Sequence, residues 1–162
     1  MLARPQRGPD YIDAIGFASC IPSGLERAGN GQPLWWIVTL KTYIIEDNAV
    51  IRENLVDTLE ELADVKVVGF AETEVAALSW LQGHPAAWDL AIVDLFLREG
   101  SGIGVLEGCR DRPPNRKMVV LSNYATTDIR RRCGLIGADA VFDKSNQIDD
   151  LVDFCIAAGA AA

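Results

Sequence analysis

Apolar positions fall into two alternating rhythms from Lys41 onward. Short β-rich runs recur as "KTYIIE" (41–46), "VKVVGF" (65–70), "LAIVD" (90–94), "KMVVLS" (117–122) and "ADAVF" (138–142). Between them the apolar residues move to helical spacing. "NAVIRENLVDTLEEL" sets Ile51, Leu55, Leu59 and Leu62 on one face, and "TEVAALSWLQG" reads as a helix capped by Thr73 and stopped at Gly83. Ser101 caps "GIGVLEGC", and "TTDIRRRCGLIG" aligns Ile129, Cys133 and Ile136. In "NQIDDLVDFCIAA", Ile148, Leu151, Val152, Cys155 and Ile156 form the stripe of a packed amphipathic helix.

Strand followed by helix, repeated, predicts a parallel sheet with helices on both faces. The continuous apolar strands agree, because strands buried on both sides do not alternate with polar residues. The expected class is α/β, a doubly wound five-stranded parallel sheet. In such sheets the ligand site lies outside the carboxyl ends of the strands.

The first 39 residues follow neither rhythm. They are rich in glycine (Gly8, Gly16, Gly24, Gly29, Gly31) and proline (Pro5, Pro9, Pro22, Pro33), without a signal-peptide pattern. They read as a poorly ordered extension; a translation start near Val38 is the other reading. The expected organisation is therefore extension 1–39, domain 40–158 and Ala-rich tail 159–162.

The 162 residues carry a net charge of −8, which argues against a nucleic-acid surface. The four cysteines are scattered without a C-x-x-C pair, so zinc and a disulfide framework are disfavoured and a reducing, cytoplasmic compartment fits. No stretch approaches the roughly 20 apolar residues of a membrane span. His84, the single histidine, sits at a helix end with no chemical partner in its sequence neighbourhood.

The strand ends carry the chemistry. Strand one ends in Glu46-Asp47, strand three in Asp94 and strand four in Ser122; Lys144 follows strand five. With strands one and three side by side, three carboxylates meet in one crevice. At 4 Å each like-charged pair costs about 4 kcal/mol at an effective dielectric of 20. Either one carboxylate holds a proton or a cation sits among them. Oxygen-only ligands suit Mg²⁺, or Mn²⁺ in its place. A metal, a lysine and a hydroxyl around one carboxylate suit phosphoryl transfer onto that carboxylate.

Jointly, "IIEDN", "AIVDLFL", "VLSNYA" and "VFDKS" resemble the receiver domain of bacterial two-component response regulators, over about residues 40 to 158. The strand order 2-1-3-4-5, that of the flavodoxin-like receiver fold, is taken from this resemblance and not from the pattern. The resemblance implies that Asp94 accepts a phosphoryl group from a histidine kinase or a histidine phosphotransfer protein. It further implies Mg²⁺ on Asp47, Asp94 and the Phe96 backbone carbonyl, Glu46 acting largely through water, and Ser122 and Lys144 on the phosphoryl oxygens.

The chain departs from the family pattern in three places. Val141 stands at a switch position where an aromatic residue is common; Phe142 is adjacent but faces the opposite side of the sheet. Ser145 follows the lysine where proline is frequent. Phe96 and Tyr124 put bulky groups beside Asp94 and Ser122, where they are expected to restrict water and lengthen the phosphate lifetime.

Readout is expected through the fourth helix, fifth strand and fifth helix, with Asp128, Arg130, Arg131, Arg132 and Asp149 available to a protein partner. No output module follows, so the chain reads as a stand-alone receiver or phosphorelay member, not itself an enzyme; homodimerisation stays open. A transcription-factor fragment lacking its DNA-binding portion is the alternative. An Asp-nucleophile phosphatase of the haloacid-dehalogenase type needs a second Asp where Phe96 stands. A flavodoxin-like electron carrier needs a hydroxyl- and Gly-rich loop where "EDNAVI" stands.

Overall fold

A computed structural model describes residues 39–160. The expected extension and the last two alanines lie outside the described residues, apart from Thr39. The elements alternate as read: β1 (Leu40–Ile45), α1 (Ala49–Leu62), β2 (Val65–Ala71), α2 (Glu74–Gly83), β3 (Leu90–Val93), α3 (Gly102–Gly108), β4 (Lys117–Ser122), α4 (Thr127–Ile136), β5 (Ala140–Asp143) and α5 (Ile148–Ala160). The helix α5 continues to Ala160, into the stretch assigned to the tail.

All strand pairs are parallel and the order is β2-β1-β3-β4-β5, as the resemblance implied. Successive residues of the central strands face opposite helical layers. Ile44, Ile92, Val119 and Leu121 pack with Leu55 and Leu59 of α1 and with Leu151, Val152 and Cys155 of α5. Tyr43, Ile45, Ala91, Val93, Met118 and Val120 pack against α2, α3 and α4.

Local sequence sets the helix ends. Asn48, Thr73, Ser101 and Thr126 each accept backbone N–H bonds as N-caps. Gly137, with φ +119°, closes α4 in a left-handed turn that disfavours a side chain.

Two positions assigned to apolar faces are exposed: Leu62 is 55% and Ile156 50% accessible. In α1 the buried residues are Arg52, Leu55 and Leu59, so the covered face is rotated toward Arg52 and leaves Leu62 on the flank. In α5 the face centres on Leu151, Val152 and Cys155, with Ile156 at its edge. Cys109, Cys133 and Cys155 are free and buried, and burial pushes the Cys155 thiol up to about 12. His84 Nδ1 donates to Trp80 O and its ring stacks on that indole, a helix-end role.

Candidate functional site

The crevice forms where the ladder between β1 and β3 runs out. Beyond the paired strands, Asp94 N still donates to Ile45 O (2.9 Å) and Glu46 N to Ala71 O (3.0 Å). Both acids are therefore held on rigid backbone although each lies just past its strand. One carboxylate oxygen from each of Glu46, Asp47 and Asp94 lies within 4.8 Å of the others. Hard oxygen donors converging at this spacing fit a divalent cation.

Lys144 reaches in from the loop after β5. Its Nζ donates to Glu46 Oε2 at 2.6 Å and to Asp94 Oδ2 at 2.9 Å. Burial pulls this ammonium down, but the bonds to Glu46 and Asp94 outweigh it and hold its pKa above the ordinary lysine value. The Lys144 backbone N–H is tied to Ser122 O, so the end of β4 positions the lysine as well.

Glu46 is more engaged than expected. Its Oε1 accepts from Asn48 N, its Oε2 binds Lys144, and the residue is only 3% exposed. Asp47 is half-buried, with Arg98 3.6 Å away across the crevice. Ser122 is fully buried, and its Oγ accepts from Tyr124 N. It stands outside the Lys144–Glu46–Asp94 bonds.

The loop after β3 is pinned from two sides. Phe96 N donates to Asp94 Oδ1 at 3.3 Å. Glu74 Oε2 accepts from Ser101 N at 2.7 Å, and Thr73 pairs with Glu99 in a single parallel bridge. Gly102 opens α3 directly against Asp94: a Cβ there would lie 2.1 Å from the Asp94 carbonyl oxygen. Phe96 and Tyr124 meet edge to face, with centroids 5.2 Å apart, and both are exposed.

The chain contains a match to the response regulator receiver domain over residues 42–155. It belongs to that family. The receiver domain resembles, at 30% identity over 100 residues, the DNA-binding transcriptional activator DevR/DosR of Mycobacterium tuberculosis, covering 61% of this chain and 45% of that protein. It is 31% identical over 91 residues to the photosynthetic apparatus regulatory protein RegA of Rhodobacter capsulatus, covering 56% of this chain and 48% of RegA. The chain thus spans about half the length of these curated relatives. Among solved structures, the receiver domain of the response regulator NarL from Mycobacterium tuberculosis superposes with a TM-score of 0.66 at 21% identity, covering 76% of this chain and 98% of that one. The response regulator domain of Thermotoga maritima CheB gives 0.63 at 18% identity, covering 76% and 96%. Receiver domains are signalling domains that accept phosphoryl groups from histidine kinases and generally bind Mg²⁺ in an acidic pocket.

Around the receiver site, the side chains beyond the acids differ in availability. Val141 packs half-buried on the α2–α4 side, whereas Phe142 is buried on the α1–α5 side against Phe154. Asp128, Arg131, Arg132 and Asp149 are exposed. Arg130 is not a free surface charge: it donates to Ala125 O, Val141 O and Gln147 Oε1. Arg52, which the apolar pattern of α1 does not single out, lies on the buried face of that helix with Leu55 and Leu59. Among the described residues no helix is long and apolar enough to cross a membrane.

Proposed function

We propose that Asp94 is the phospho-acceptor, taking a phosphoryl group from a phosphohistidine of a histidine kinase or phosphotransfer protein. A carboxylate oxygen of Asp94 forms the new P–O bond as the donor's P–N bond breaks, and the imidazole leaves protonated. The observation that carries this reading is the reach of Lys144 to Asp94 and Glu46 from the far side of the sheet. An ammonium held charged beside the acceptor suits negative charge developing on the transferred phosphoryl oxygens. Ser122, at the neighbouring strand end, donates a hydrogen bond to the phosphoryl group once its loop moves inward.

Glu46, Asp47, Asp94 and the backbone carbonyl of Phe96 would hold Mg²⁺ or Mn²⁺. When bound, the ion supplies charge stabilisation for the phosphoryl oxygens. The protein acts in the cytoplasm through a protein partner, with no direct contact to nucleic acid or membrane. Asp128, Arg131, Arg132 and Asp149 offer the exposed charge for that contact. Phosphorylation shifts a pre-existing equilibrium of the α4–β5–α5 face, with homodimerisation as one outcome of the shift.

A second reading comes from the share of the relatives that is covered, 45% of DevR/DosR and 48% of RegA. On that reading the receiver is one portion of a longer transcriptional regulator, and the full reading frame decides.

The test is incubation with acetyl phosphate and Mg²⁺, followed by intact mass, on the wild type and Asp94→Asn. A gain of one phosphoryl group in the wild type alone, abolished by chelation, is expected. If neither protein gains mass and a fluoroberyllate titration leaves the NMR spectrum unchanged, the assignment fails.

A further inference from the structure

Arg52 is a buried cation that the phosphoryl-transfer reading does not use. It lies on α1 with its residue 8% exposed, and a charge so placed is costly unless every donor is occupied. Its partners are specific. Nη1 donates to the Glu46 carbonyl oxygen at 2.8 Å and lies 3.1 Å from Glu72 Oε1. The guanidinium carbon sits 4.0 Å from the centroid of the Phe70 ring. Glu72 and Phe70 flank Ala71, whose carbonyl receives the Glu46 N–H. The end of β2 thus grips Glu46 twice, once through the backbone and once through Arg52.

The bonded carbonyl belongs to the peptide that joins Glu46 to Asp47. That peptide is planar, so fixing its oxygen fixes the plane from which Asp47 departs. One guanidinium thus restrains the peptide from which Asp47 starts, beside the Asn48 and Lys144 bonds that hold the Glu46 carboxylate itself. An apolar residue at this position of α1 would fill the same space and leave the peptide free to rotate.

The geometry points to Arg52 as a positioning residue for the divalent-cation site, clamping the Glu46–Asp47 peptide so that both carboxylates face Asp94. This rests on the reading of that crevice as a metal site. Two effects of Arg52 oppose each other there. Its positive charge, taken alone, weakens cation binding; its clamp strengthens binding by holding the ligands in place. Outer-shell partners of this kind are typically worth about 10–100-fold in metal affinity.

The sign of the change therefore separates the two. Binding of Mn²⁺ is measured by the EPR signal of the free ion during titration of the full chain, for wild type, Arg52→Met, Arg52→Lys and Glu72→Gln. Arg52→Met is expected to weaken Mn²⁺ binding about tenfold. Arg52→Lys keeps the charge and loses the fork, so it is expected to weaken binding as well. Glu72→Gln, at a half-exposed partner, gives a smaller loss in the same direction, and the charge-preserving Arg52→Lys carries the test if Arg52→Met does not fold. Metal-free melting temperatures are recorded alongside, since a structural role alone moves those and leaves the dissociation constant in place. Unchanged or tighter Mn²⁺ binding in Arg52→Lys and Glu72→Gln overturns the proposal while leaving the metal site standing. No saturable binding in the wild type overturns the metal site and this proposal together.

Discussion

Lys144 Nζ stands 2.9 Å from Asp94 Oδ2, although 50 residues and two strands of the sheet separate them in the chain. The same nitrogen also holds Glu46, so one ammonium is the shared counter-charge of two carboxylates whose side chains are at most 10% exposed. Its raised pKa means that this stabilisation is fully present below the ordinary lysine value of about 10.4. It is lost only as pH climbs through the higher folded value.

Lys144→Met is expected to destabilise the metal-free protein by about 3 kcal/mol at neutral pH, because it leaves two buried carboxylates without a counter-charge. Urea unfolding in EDTA measures this, and added Mg²⁺ should recover part of the loss. A change under about 1 kcal/mol would mean the contact behaves as a surface ion pair.

Gly102→Ala is expected to cost about 1–3 kcal/mol, since its Cβ would meet the Asp94 carbonyl at 2.1 Å and backbone must shift. Because the obstructed atom belongs to Asp94 itself, phosphorylation by acetyl phosphate should slow along with the loss of stability. Gly134→Ala, with open space around its Cβ position, is the control and should be neutral or slightly stabilising. Equal melting temperatures for the two variants would refute the steric argument.

Phe96 and Tyr124 pack against each other on loops that flank Asp94 and Ser122. Replacing both with small polar residues, as in Phe96→Ser with Tyr124→Asn, should admit water and shorten the phosphate lifetime severalfold. Decay of the phosphorylated form, followed by intact mass after removal of the phosphodonor, checks this. An unchanged lifetime would show that the pair does not shield the acceptor.

Asp139 acts at the opposite end of the sheet from the crevice, accepting from Arg112 Nη2 (2.7 Å), Lys117 Nζ (3.1 Å) and Met118 N (2.8 Å). Burial raises its pKa, but these bonds lower it further than burial raises it, to below the ordinary carboxylate range. Its contribution is therefore present above about pH 4 and lost as pH falls through the lower folded value. Asp139→Asn should reduce stability at pH 7 and flatten the acid limb of the stability profile below about pH 4. Urea unfolding across that range tests it; parallel profiles for the two proteins would exclude Asp139 as a source of acid sensitivity.

The order of strands and helices was legible along the chain because each element must bury a face with its own period. The caps Thr73 and Ser101 were legible for a related reason: they satisfy N–H groups only two or three residues away. The acids just past β1 and β3, the hydroxyl that ends β4 and the lysine after β5 were visible as strand-end residues. What such positions could mean came from their joint resemblance to the receiver family.

Other features depended on partners distant in sequence. The buried face of α1 includes Arg52 because Glu72, Phe70 and the Glu46 carbonyl are brought to it by β2 and β1, and no helical period announces an arginine with such partners. Arg130 read as one of three surface arginines, yet β5 and the start of α5 supply acceptors that draw it inward. Sequence determined which segments form and which residues end them, since those are local satisfactions of backbone and periodicity. Only the tertiary structure decided how the charged side chains pair, because that balance of desolvation against hydrogen bonding depends on groups that meet when the sheet closes.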